Sequence, residues 1–128
     1  MSIIPADVAA ILDGPVFVHL ATTNPDGSPQ VSMIWIDRVG DTIRFGTAEG
    51  RAKPRNMRND PRVALSFSPA EDPYRNITMR GRVTNLEANG TGLIDRMAQK
   101  YLGEPRFTGI APGQVRLDVT VAIDTVSG

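Results

Sequence analysis

Short runs of alternating β-branched and aromatic residues, each closed by a turn signal, recur along this chain, and they restrict it to a sheet that must hide its own edges. Val16-Phe17-Val18-His19-Leu20-Ala21-Thr22-Thr23 runs into Asn24-Pro25-Asp26-Gly27, a strong turn, so a second strand from about Pro29 to Asp37 folds back as a hairpin. The turn Val39-Gly40-Asp41 leads to a third strand, Thr42 to Thr47. Arg62 to Ser68 and Asn76 to Leu86 read as two more, with Gly81 marking a bulge or bend. From about Gln114 to Val126, the residues Val115, Leu117, Val119, Val121 and Ile123 alternate onto one face. About six antiparallel strands with short turns predict a mainly β, single-domain barrel over 1–128.

Three short helices flank these strands. Val8, Ile11 and Leu12 have helical spacing between about Pro5 and Leu12, with Gly14 as a stop. A basic helix should run from about Ala52 to Asn59, because Pro54 falls in its first turn and Asp60-Pro61 ends it. Leu93, Met97 and Tyr101 lie four apart, so about Thr91 to Leu102 forms an amphipathic helix whose wet face carries Asp95, Arg96 and Lys100.

At 128 residues the chain fits one domain and is too short for two lobes with a cleft between them. Lysine plus arginine and aspartate plus glutamate each number 14, so no long-range field gathers nucleic acid or an anionic membrane, and any basic site is local. The absence of cysteine removes disulfides and thiolate chemistry. No signal-like N-terminus and no apolar run of roughly 20 residues is present, so the expectation is a cytoplasmic protein without a membrane span. His19 is the only histidine, which excludes a histidine-pair metal site. No Gly-x-Gly-x-x-Gly or Walker-type loop occurs.

The segment that carries chemistry is Gly46-Thr47-Ala48-Glu49-Gly50-Arg51-Ala52-Lys53-Pro54-Arg55-Asn56. It joins a strand end to a helix start, where free amides and the positive dipole end favour an anion. Arg51, Lys53 and Arg55 crowd that place, although cations in a first turn are mildly unfavourable unless an anion compensates them. From spacing alone the alternatives are a phosphate site and a solvated basic face whose charge Glu49 and Asp60 offset.

The run Phe45-x-Thr47, Gly50-Arg51-Ala52-Lys53, Asn59-Asp60-Pro61-Arg62-Val63-Ala64, together with Arg75-x-Ile77-x-Met79-x-Gly81-Arg82-Val83, resembles the pyridoxamine 5′-phosphate oxidase-like superfamily. The resemblance extends from about Gly14 to Val126, and Arg51-Ala52-Lys53-x-Arg55-Asn56 is similar to its actinobacterial, coenzyme F420-dependent branch. It implies a six-stranded split β-barrel in which Arg51, Lys53 and Arg55 grip a phosphate, Thr47 donates a hydrogen bond beside it, and Asn56 fixes the loop. Ala52 stands where the oxidase proper carries arginine.

By the same resemblance the tricyclic ring lies along Gln30-Val31-Ser32-Met33-Ile34-Trp35-Ile36, making Gln30, Ser32, Met33 and Trp35 cofactor contacts. For Trp35 core packing is an equal alternative. Asn76 would reach the cofactor from the neighbouring subunit, implying a homodimer with shared sites. The implied activity is hydride transfer from reduced F420 to an unsaturated small molecule. The alternatives are an enzyme that uses flavin mononucleotide (FMN), or a non-enzymatic module for flavin, deazaflavin or haem, the last with His19 as ligand.

Overall fold

The computed structural model describes residues 2–88 and 92–128. Ten elements follow in order: α1 (Ala6–Asp13), β1 (Val18–Thr23), β2 (Pro29–Ile34), β3 (Asp37–Val39), β4 (Thr42–Ala48), α2 (Ala52–Asn59), β5 (Arg62–Phe67), β6 (Ile77–Ala88), α3 (Gly92–Leu102) and β7 (Arg116–Ser127). The strands make one antiparallel sheet in the order β2-β1-β5-β6-β7-β4-β3. The sheet curls into a half-barrel with three short helices, the split-barrel architecture.

Seven strands replace the expected six because the second is interrupted. β2 and β3 are successive in the chain yet form the two opposite edges of the sheet, so Trp35 and Ile36 carry the backbone across the split. Ile36 can leave the ladder because side chains of α3 satisfy its backbone. Its N–H donates to Tyr101 Oη at 3.1 Å, and its carbonyl accepts from Lys100 Nζ at 2.9 Å.

Lys100 therefore does not belong to the wet face expected for it. It also donates to the Leu12 carbonyl at 2.6 Å, while Tyr101 Oη donates to the Val16 carbonyl at 2.7 Å, and these bonds tie α1 and the split to α3. Asp95 is likewise engaged, accepting from the Phe107 N–H at 2.9 Å, whereas Arg96 is exposed. Thr91, the expected start of that helix, lies outside the described residues.

The core fills the concave side. Leu20, Phe45, Leu65, Met79, Val119 and Val121 are all buried there, as alternation on β1, β4, β5, β6 and β7 predicts. Gly81 sits at the predicted irregularity: the β6–β7 register shifts between Arg80 and Gly81, and a Cβ there would lie 2.3 Å from the Ala122 carbonyl oxygen. Val115 does not join the inward face of the last strand, which starts one residue later and leaves Val115 50% exposed.

Candidate functional site

α2 packs against β1 and β4 with its N-terminus at the split. Pro54, Asn56 and Met57 face inward and leave Arg51, Ala52, Arg55 and Arg58 outward. The first turn holds no acidic residue, and the Arg51 N-cap makes no side-chain capping bond. The two carboxylates that could have neutralised the cluster are used elsewhere. Glu49 pairs with Arg58 at 2.6 Å and Asp60 with Arg62 at 2.8 Å. Among the described residues Arg51, Lys53 and Arg55 have no carboxylate within 4.0 Å.

The structure brings most of the predicted residues into two groups and leaves Thr47, Ala52 and Asn76 outside both. Arg51, Lys53, Met33 and Trp35 line one cavity of about 200 Å³ with Ile34, Gly46, Met97 and Arg116. Ser32 does not line it but accepts from Lys53 Nζ at 3.1 Å.

Arg55, Asn56 and Gln30 form a second, neighbouring network. Buried Asn56 donates through Nδ2 to Thr22 Oγ1 at 3.1 Å and to Asn24 Oδ1 at 3.0 Å. Its Oδ1 accepts from Arg55 Nη2 at 3.2 Å, and Thr22 Oγ1 donates to Gln30 Oε1 at 3.2 Å. Asn56 thus welds α2 to the β1–β2 turn.

Trp35 is packed against other rings and also borders the cavity. Its ring is half-buried and stacks on Tyr101 with centroids 5.3 Å apart at 10°, while Phe107 meets it edge-on at 6.1 Å, yet it still lines the cavity. Thr47 is 2% exposed, and its Oγ1 has no hydrogen-bond partner. Asn76 is exposed, donates to Ser66 Oγ at 3.1 Å, and is not part of the cavity. His19 is exposed on β1 opposite Met33 and Ser66, and no metal-binding cluster occurs among the described residues.

Met97 and Arg116 are not legible as site residues, and Gly46 is visible only as part of the segment before α2. Arg116 arrives because β4 and β7 pair with Ala48 opposite Arg116, a long-range register that no local motif encodes.

A larger depression of about 710 Å³ lies between the end of α1 and the β5–β6 connection, lined by Ile11, Val16, Phe17, Pro69 and Arg75 among others. Its single cation, Arg75, is spent on Asp7 at 2.8 Å, whereas the smaller cavity gathers Arg51, Lys53 and Arg116.

Electrostatics of that cavity favour an incoming anion. Burial, then the charges of Arg51 and Arg116, hold the Lys53 ammonium below its ordinary value of 10.5. The unfolded chain therefore binds more protons than the folded one just below 10.5, so this group's contribution to stability rises with pH through that window. Lys53→Met removes the repulsion. Urea unfolding from pH 7 to 10 should show the ligand-free variant at least as stable as wild type near neutrality, with wild type catching up as pH climbs. A wild-type advantage that shrinks with pH would contradict the assignment.

A phosphate fits these residues: uncompensated cations in one cavity, at a helix start without an acidic partner. A model of the family described as "Pyridoxamine 5'-phosphate oxidase" matches residues 4–122. The chain belongs to that family.

Among solved structures, one named an F420 reductase is 31% identical, covers 96% of this chain and 98% of its own, and superposes with a TM-score of 0.85. A putative pyridoxamine 5'-phosphate oxidase from Listeria innocua shares the fold at 16% identity and TM-score 0.68, covering 94% of each chain. The haem storage protein HutZ from Vibrio cholerae shares it at 12% identity and TM-score 0.66, covering 99% of this chain and 94% of its own. Comparison with curated proteins finds no match.

Proposed function

We propose that this family member is an oxidoreductase that binds the deazaflavin coenzyme F420 and delivers hydride to an unsaturated, planar small molecule. The observation that carries the reading is the pair Arg51 and Lys53, without carboxylate partners, in one cavity with Trp35 at the split. Similarity to a 31% identical F420 reductase over nearly the whole chain supports this coenzyme.

The coenzyme supplies the hydride chemistry, and the chain needs only to place it and exclude water. Arg51 and Lys53 hold the phosphate, while Ser32 steers the Lys53 ammonium. Met33 and Trp35 offer an apolar wall to the ring, and Tyr101 keeps the Trp35 plane fixed. No side chain is assigned as catalytic acid or base, and solvent delivers the proton.

The reading includes a homodimer in which the partner copy's Asn76 completes the site. Exposed apolar side chains, Val31 at 59% and Met33 at 49% on the edge strand and Phe17 at 59%, support a covered face. No helix among the described residues is long and apolar enough to cross a membrane.

FMN ends in a comparable phosphate, so the cations admit it too. Fluorescence titration of the pure protein with F420 and with FMN separates the two. The expected result is saturable binding with preference for F420, followed by reoxidation of reduced F420 when an enone or quinone is added. Saturation by neither coenzyme overturns the proposal.

A further inference from the structure

We propose that Arg116 on β7 closes a three-cation socket with Arg51 and Lys53, and that this socket takes the phosphate-ester end of the ligand. The inference rests on the coenzyme reading and deepens it.

Two chain segments converge here. Arg51 is the N-cap of α2, Lys53 lies in its first turn, and Arg116 opens β7, brought alongside by the pairing of Ala48 with Arg116. All three side chains line the same cavity. Half-buried Arg116 is held below its ordinary value, first by burial and then by Arg51, with Asp118 opposing the shift. Asp118, the cross-strand partner of Gly46, sits 3.7 Å from Arg44 and is the one carboxylate that bears on Arg116, while Arg51 and Lys53 have no carboxylate within 4.0 Å among the described residues. Like charges gathered out of water are costly unless a counter-charge joins them.

Gly46 explains how the guanidinium reaches this position. A Cβ at Gly46 would stand 2.8 Å from Arg116 Nη2 and 3.7 Å from Met97 Cε. Its backbone is ordinary strand, so glycine serves here for room and not for conformation. At about 200 Å³ the cavity is smaller than the roughly 300–1,000 Å³ that encloses a whole ligand. It therefore suits one end of a coenzyme, lined by three cations together with the apolar Met33, Trp35 and Met97.

The test compares F420 with the same deazaflavin ring lacking the phosphate, each titrated by fluorescence against wild type, Arg116→Gln, Arg116→Lys and Gly46→Ala. Arg116→Gln should weaken F420 by about 10- to 100-fold while leaving the phosphate-free ring compound within about twofold. Arg116→Lys should recover part of the loss. Gly46→Ala, which keeps the arginine but displaces its guanidinium, should reproduce the selective loss. Equal losses for both compounds, or no loss in either variant, overturn the socket.

Inorganic pyrophosphate, followed by thermal shift, probes the socket without a ring. Pyrophosphate stabilisation that needs Arg116, in a chain that binds neither coenzyme, keeps the socket and rejects the coenzyme reading. Tight F420 binding that ignores Arg116→Gln keeps the coenzyme reading and rejects the socket.

Discussion

Replacing Arg51 and Lys53 together by alanine should cost about 3 kcal/mol or more of coenzyme binding, at least a hundredfold in Kd by titration calorimetry. Each charged hydrogen bond to a phosphate contributes on the order of 1.5–3 kcal/mol, and the two losses will not add fully because both cations address one group. Arg58→Ala is the matched control. It removes a cation from the same helix, but one already paired with Glu49, so affinity should stay within about twofold. Comparable losses in both variants would mean that diffuse charge, and not a local clamp, holds the coenzyme. The loss should also survive at high salt better than a surface effect would, since Lys53 is partly buried.

Phe45→Ala should lower the unfolding free energy by about 3–5 kcal/mol, measured by urea denaturation at constant m-value. Phe45 is 0% exposed, pairs with Val119 across β4 and β7, and sits among the buried side chains of the half-barrel. A domain of ordinary stability has roughly 5–15 kcal/mol, so the variant would lose a large share of it. The same strand carries Gly46 to the site, so coenzyme binding should weaken with stability. A loss under about 1 kcal/mol would show that the concave face collapses around the cavity instead of holding it open.

Much of this architecture is legible locally. The alternation in β1, β4, β5, β6 and β7, the Asn24 to Gly27 turn and the irregularity at Gly81 all stand where side-chain periodicity and turn chemistry place them. The basic stretch before α2 is equally visible, although nothing local distinguishes a site from a wet face. Pairing of Glu49 with Arg58 and of Asp60 with Arg62 removes the neutralising carboxylates, and that choice of partners depends on how the helix lies.

The places where reading along the chain failed share one cause. The break at Trp35 and Ile36 occurs inside a stretch that alternates well, because the compensating hydrogen bonds come from Tyr101 and Lys100, far along the chain. Lys100 looked solvated for the same reason: its acceptors are carbonyls of α1 and the split, invisible to helical periodicity. Arg116 carried no signal at all.

The order of residues alone determined which segments become strands or helices, where the chain turns and that positive charge gathers before α2, because these follow from side-chain period and backbone preference within a few residues. Only the tertiary structure decided that β2 and β3 become opposite edges, that Trp35 spans the gap between them, and that Arg116 joins Arg51 and Lys53. Those outcomes depend on pairing between distant strands, which is selected by burial of the whole concave face and by satisfaction of backbone groups, not by any local run of residues.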